Sequence, residues 1–155
     1  MESLDHERFM RRAIALTANC PRLPFGALIV CADTGEVVAE GWNKSAINPT
    51  WHGEIDAINR LAESGRGDSG SGLVLYTTAE PCPMCLAAIL WSRLDGVVYA
   101  ATCDDAAAAG FDDRVFHEEL RRPASERTLP IVQALREEAL GPLREWREKA
   151  DRVPY

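Results

Sequence analysis

His52-Gly53-Glu54 and Pro81-Cys82-Pro83-Met84-Cys85 constrain this chain more than any other part of it. A Cys-x-x-Cys pair at a helix start aims both sulfurs at one point. The helix dipole and the free N–H groups there favour thiolates. Two thiolates suit Zn²⁺. Taken alone, the pair also reads as a thioredoxin-like redox couple or as two buried cysteines. A redox pair belongs early, after a first strand, and this one lies past mid-chain. His52 alone reads as an ordinary hydrogen-bonded histidine. In combination, the two motifs put two helix starts on either side of one strand, facing each other at the same sheet edge. His52, Cys82 and Cys85 then form a three-ligand set for one zinc ion per chain. The fourth tetrahedral position stays open to water, as in catalytic sites and unlike closed structural ones. Glu54, two residues from His52, is placed to move protons beside that ion. It also suits the first turn of a helix electrostatically.

The rest of the pattern predicts an alternation of strands and helices. Helical spacing of Phe9, Met10, Ala13, Ile14 and Thr17 predicts a helix over Ser3–Ala18, capped by Ser3 or Asp5. Pro24–Ala32 and Glu36–Asn43 read as a hairpin turning at Thr34-Gly35. A polar segment spans Lys44–Thr50. Glu54–Ser64 reads as a helix ended by Gly65. Leu73–Thr77 reads as a strand, Pro83–Trp91 as a helix opened by proline with Trp91 in the core, and Gly96–Ala101 as a strand. Asp105–Ala109 and Asp113–Leu120 suggest short helices. Leu129–Ala134 suggests a fifth strand. Leu135–Ala150 suggests a helix interrupted at Gly141-Pro142. The expected fold is α/β, three layers α/β/α around a mixed five-stranded sheet, with residues 1–155 forming a single domain.

Bulk properties narrow the partners. The 155 residues carry a net charge of -7, which disfavours phosphate backbones and so duplex DNA or bulk RNA. The arginines at 8, 11, 12, 121 and 122 read as solvated faces. Five irregularly spaced cysteines do not form a disulfide framework. The charged start MESLDHERFMRR has no apolar signal core, and no apolar run reaches the length of a membrane span. A cytoplasmic protein without membrane or nucleic-acid partners is expected.

The order of helix, hairpin with Pro24-Phe25-Gly26-Ala27, His-Gly-Glu and Glu80-Pro-Cys-Pro-Met-Cys85 resembles the cytidine-deaminase-like superfamily, whose zinc enzymes share an H-x-E then P-C-x-x-C signature with a non-ligand glutamate. Within it the chain is similar to bacterial zinc-dependent guanine deaminases. Asn43, Ala88-Ile89-Leu90-Trp91, Gly110-Phe111-Asp112-Asp113, Glu126-Arg127-Thr128 and the terminal Tyr155 carry that likeness. The resemblance implies hydrolytic deamination of a nucleobase in purine metabolism, guanine to xanthine plus ammonia. It implies that Phe25 lines the base pocket, Asn43 hydrogen-bonds the ring, and Asp113 and Tyr155 meet the purine edge. It further implies a homodimer in which the C-terminal segment, about residues 140–155, is swapped to the partner subunit.

Three positions depart from that family's pattern: Gly53 between His52 and Glu54, Trp51 before His52, and Cys20-Pro21-Arg22-Leu23 before Pro24. Trp51 and Gly53 flank a ligand and are expected to bear on substrate binding. Competing readings are guanosine, cytosine or another amino-heterocycle as substrate, a tRNA adenosine deaminase, and a zinc-stabilised binding module without turnover. The last needs a fourth protein ligand, for which Cys103, Cys31 and His117 are the candidates.

Overall fold

The computed structural model describes residues 4–66 and 70–153, which pack as two compact units, one reaching to Glu118 and one starting at Glu119. Helix α1 (His6–Leu16) opens the first unit. Asp5 caps it by accepting from the Arg8 N–H, and a single 3₁₀ turn continues it through Asn19. Of the two expected caps, Ser3 lies outside the described residues. Strands β1 (Gly26–Cys31) and β2 (Val37–Trp42) form the expected antiparallel hairpin, with Gly35 at φ +68 in its turn. Helix α2 (Gly53–Leu61) is followed by β3 (Leu73–Ala79), α3 (Pro83–Trp91) and β4 (Gly96–Ala101).

The strand order is β2-β1-β3-β4, with β3 antiparallel to β1 and parallel to β4. Alternate side chains of β1 divide between two cores. Ala27 and Ile29 pack with Ala57 and Leu61 of α2 and Ile89 of α3 on one face. Leu28 and Val30 pack with Phe9 and Ala13 of α1 on the other. The central strands are therefore apolar throughout, as a sheet covered on both faces requires. Each fully buried Leu, Ile or Val contributes about 1.5–3 kcal/mol. The three-layer α/β/α arrangement is as the sequence predicts.

Several local expectations are corrected. The sheet has four strands among the described residues, not five. Leu129–Ala134 joins no ladder: Leu129, Ile131 and Val132 stand exposed, Val132 at 86%, and Pro130 has no N–H to offer a neighbouring strand. Trp91 is 68% exposed and lies outside the core. The short helices form one or two residues away from their predicted starts, as α4 (Cys103–Ala108) and α5 (Arg114–Arg121). Thr102 and Asp105 close a reciprocal capping box that fixes the start of α4. In the second unit, helix α6 (Arg136–Glu148) runs through Gly141-Pro142 without a break.

Candidate active site

Two close backbone approaches set the position of α2. A Cβ at Gly41 on β2 would stand 2.4 Å from both the Ala57 nitrogen and the Gly53 carbonyl oxygen. One at Gly53 would stand 3.0 Å from the Phe25 carbonyl oxygen. Glycine at both positions lets the first turn of α2 lie directly on the hairpin. His52 is the N-cap of that helix, and Cys82 is the N-cap of α3 with Pro83 in its first turn. The two helix starts face each other as the spacing predicts.

The His52 Nδ1 lies 3.6 Å from Cys82 Sγ and 3.5 Å from Cys85 Sγ. With metal–nitrogen and metal–sulfur bonds of about 2.0 and 2.3 Å, tetrahedral geometry requires a separation of about 3.5 Å. The donor set thus fits one zinc ion in both chemistry and spacing. Its ligand atoms all fall within 4.8 Å of one another, and no fourth His, Cys, Asp or Glu among the described residues joins them. Cys31 takes no part. Cys103 and His117 belong to a different cluster, so the described residues do not close the site with a fourth protein ligand.

The electrostatics give the site one ready thiolate, Cys82. A hydrogen bond from Cys85, reinforced by His52, lowers the Cys82 thiol to about 4 against the opposing effect of burial. The Cys85 proton is held correspondingly tightly, through its bond to Cys82 and through burial. The Cys82 hydrogen bond raises His52.

Glu54 is 6% exposed. Its Oε1 accepts from Thr77 Oγ1 at 3.1 Å, and its Oε2 lies 3.5 Å from Cys85 Sγ. Desolvation raises its proton affinity above that of a free carboxyl group. A protonatable carboxyl therefore stands beside the metal ligands in a site from which water is largely excluded.

These residues floor a cavity of about 100 Å³. Phe25, Asn43, His52, Glu54, Cys82 and Asp113 all line it. Phe25 packs edge-on against Phe111, with ring centroids 4.9 Å apart and planes at 84°. Asn43 is buried, and its Oδ1 accepts from both the Ser45 N–H at 2.8 Å and the Ser45 hydroxyl at 2.7 Å. What Asn43 retains for a ligand is its amide NH₂. Glu80, part of the cysteine motif but given no role by sequence, also lines the cavity and accepts from the Cys103 N–H at 3.0 Å.

Trp51 and Gly53 are not among the residues lining this cavity. Trp51 instead donates its indole N–H to Asp56 at 2.9 Å and lies under Lys44, 4.7 Å from ammonium to ring centroid. Asp56 is a buried hub that sequence reasoning missed. It also accepts from the Trp42 N–H, pairs with Lys44 at 2.5 Å, and meets Arg60 at 3.3 Å. An acidic residue in the first turn of a helix looks like a dipole partner, so nothing local marks it. The Cys20–Leu23 loop lines a separate cavity of about 400 Å³ that shares Asn43. Tyr155 lies outside the described residues.

The family profile of the cytidine and deoxycytidylate deaminase zinc-binding region matches residues 3–101. The chain belongs to this deaminase family. Among its relatives, the guanine deaminase of Bacillus subtilis is 40% identical over 98% of this chain and all of its own length. Its X-ray structure superposes with a TM-score of 0.89, covering 98% of this chain and 99% of that one. A guanine deaminase structure from Nitrosomonas europaea, 30% identical, gives a TM-score of 0.64 over 71% of this chain and 66% of its own. The tRNA-specific adenosine deaminase of Haemophilus influenzae is 37% identical over 69% of this chain and 67% of its own length. The chain is a zinc-dependent hydrolytic deaminase. No helix among its described residues is long and apolar enough to cross a membrane.

Proposed function

We propose that the chain hydrolyses guanine to xanthine and ammonia, with Glu54 as the proton carrier. The observation that carries this reading is a buried carboxyl group beside a three-donor metal site, at the floor of a small cavity. The full-length likeness to a guanine deaminase supports the choice of base. A cavity of about 100 Å³ is well below the roughly 300 Å³ of the smallest drug-sized pockets. It favours a free base over a nucleoside. The net charge of -7 argues against tRNA as substrate.

His52, Cys82 and Cys85 would hold a zinc ion, which would supply Lewis acidity and lower the pKa of a water to about 7. Glu54 takes a proton from the attacking water and delivers it to the ring nitrogen N3 as a C–O bond forms at C2. C2 becomes tetrahedral. Glu54 then carries the proton of the new hydroxyl to the amino group. The C2–N bond breaks, ammonia leaves, and a carbonyl closes at C2. Phe25 holds the ring face, the Asn43 amide meets a ring acceptor, and Asp113 accepts from a ring N–H. Tyr155 completes the purine edge from the partner subunit of a cytoplasmic homodimer with swapped C-terminal segments.

Ammonia release is measured from guanine, guanosine, cytosine and adenine, with and without a chelator. Turnover of guanine that stops on chelation is expected. Turnover of another base in preference to guanine sinks the substrate assignment.

A further inference from the structure

A second cluster of ligand atoms borders the same cavity through Cys103 and Asp113. Cys103 opens α4, Asp113 immediately precedes α5, and His117 follows Asp113 by one helical turn. Their ligand atoms lie within 4.8 Å of one another, and all three side chains are half-buried. Two features separate this cluster from an ordinary polar contact. Asp113 Oδ1 and His117 Nε2 are buried atoms without a hydrogen-bond partner. His117 Nε2 and Asp113 Oδ2 stand 3.6 Å apart, too far for a hydrogen bond. Two ligands of one tetrahedral zinc ion are separated by about 3.3 Å at ordinary zinc–nitrogen and zinc–oxygen bond lengths. The observed spacing is within a few tenths of an ångström of that.

We infer that Cys103, Asp113 and His117 form a second site for a borderline divalent cation such as zinc, whose occupation inhibits the enzyme. Thiolate, imidazole and carboxylate together are the donor set that such ions select. Cys103 and Asp113 both line the cavity proposed for the base. An ion there takes the Asp113 carboxylate away from the purine edge and stands in the path of the substrate. Base and second ion therefore exclude each other. The inhibitory part rests on the guanine reading, but the binding part does not.

The test uses protein loaded with one zinc per chain and titrated with Co²⁺, with retained zinc assayed at each addition. A second equivalent is expected to bind with thiolate-to-cobalt charge-transfer absorption. Cys103→Ser should abolish that absorption, and His117→Ala should weaken binding by at least about tenfold. Guanine turnover should fall with an increased apparent KM, and His117→Ala should shift the inhibition by the same factor. Failure of the zinc-loaded protein to take up a second ion overturns the site. So does equal uptake by the wild type and both variants. Uptake that leaves guanine turnover unchanged overturns the inhibitory role. A protein with no guanine turnover at any cobalt concentration sinks the substrate reading instead, and leaves the absorption measurement to decide the site.

Discussion

At the level of single residues, the site separates positions that do chemistry from positions that hold other groups in place. Glu54 sits among the metal ligands without belonging to their set. Glu54→Gln keeps the shape and removes the proposed proton carrier. Ammonia release is expected to fall by about 10²–10⁴-fold, with metal analysis still giving one zinc per chain. Loss of the zinc would show that Glu54 serves the metal site and not the proton transfer. Asp56 does the opposite work. It gathers Lys44, Arg60, the Trp51 indole and the Trp42 amide around one buried carboxylate. Asp56→Ala leaves those groups without their shared partner, and should cost about 3–5 kcal/mol in urea unfolding. His52, Glu54, Cys82 and Cys85 were legible in the sequence because metal chemistry restricts both residue type and spacing. Asp56 was not, because its partners come from β2, the following loop and α2, and only the folded chain brings them together.

At the level of elements, backbone proximity decides which glycines can be changed. Gly41 lies where β2 nearly touches α2. Gly41→Ala must push the first turn of α2 away from the hairpin and carry His52 with it. A loss of about 1–3 kcal/mol is expected, together with reduced zinc retention on dialysis. Gly141 is helical and meets nothing within 4 Å where a Cβ would project. Gly141→Ala should therefore stabilise α6 by about 0.5–1 kcal/mol, seen as slower amide exchange through that helix. Periodicity identified α1, the hairpin, β3, α3 and β4 because each buries a regular face. It failed at Leu129–Ala134, where apolar residues follow one another without a strand to pair with. It failed again at Gly141-Pro142, where helix-breaking residues sit inside a continuous helix. Trp91 misled for a related reason: the apolar character of α3 marks no single inner face, and the tryptophan falls on the outside.

For the whole molecule, binding of an ion to the folded chain alone must stabilise the fold. Removing zinc by dialysis against a chelator should lower Tm by several degrees, and restoring one equivalent should recover it. An unchanged Tm would show that the two helix starts hold their positions without the ion. Sedimentation equilibrium is expected to give twice the mass of the chain. A monomer that still turns over guanine would remove the need for Tyr155 from a second copy.

If Asn43 meets the base as proposed, the pair of hydrogen bonds that it accepts from Ser45 also limits which heterocycles fit. An asparagine amide is ordinarily free to rotate by half a turn and swap its oxygen for its nitrogen. Here that rotation would set NH₂ against the Ser45 backbone N–H, a donor that cannot turn to accept. The orientation is thus locked by a serine that does not line the cavity. An incoming edge must present a lone pair at that point, and an exocyclic amine in the same place would be turned away. Discrimination between oxo and amino purines is then decided by a backbone group behind the asparagine; replacing Ser45 by alanine, which keeps that N–H, should leave it largely in place, whereas proline there should blunt it.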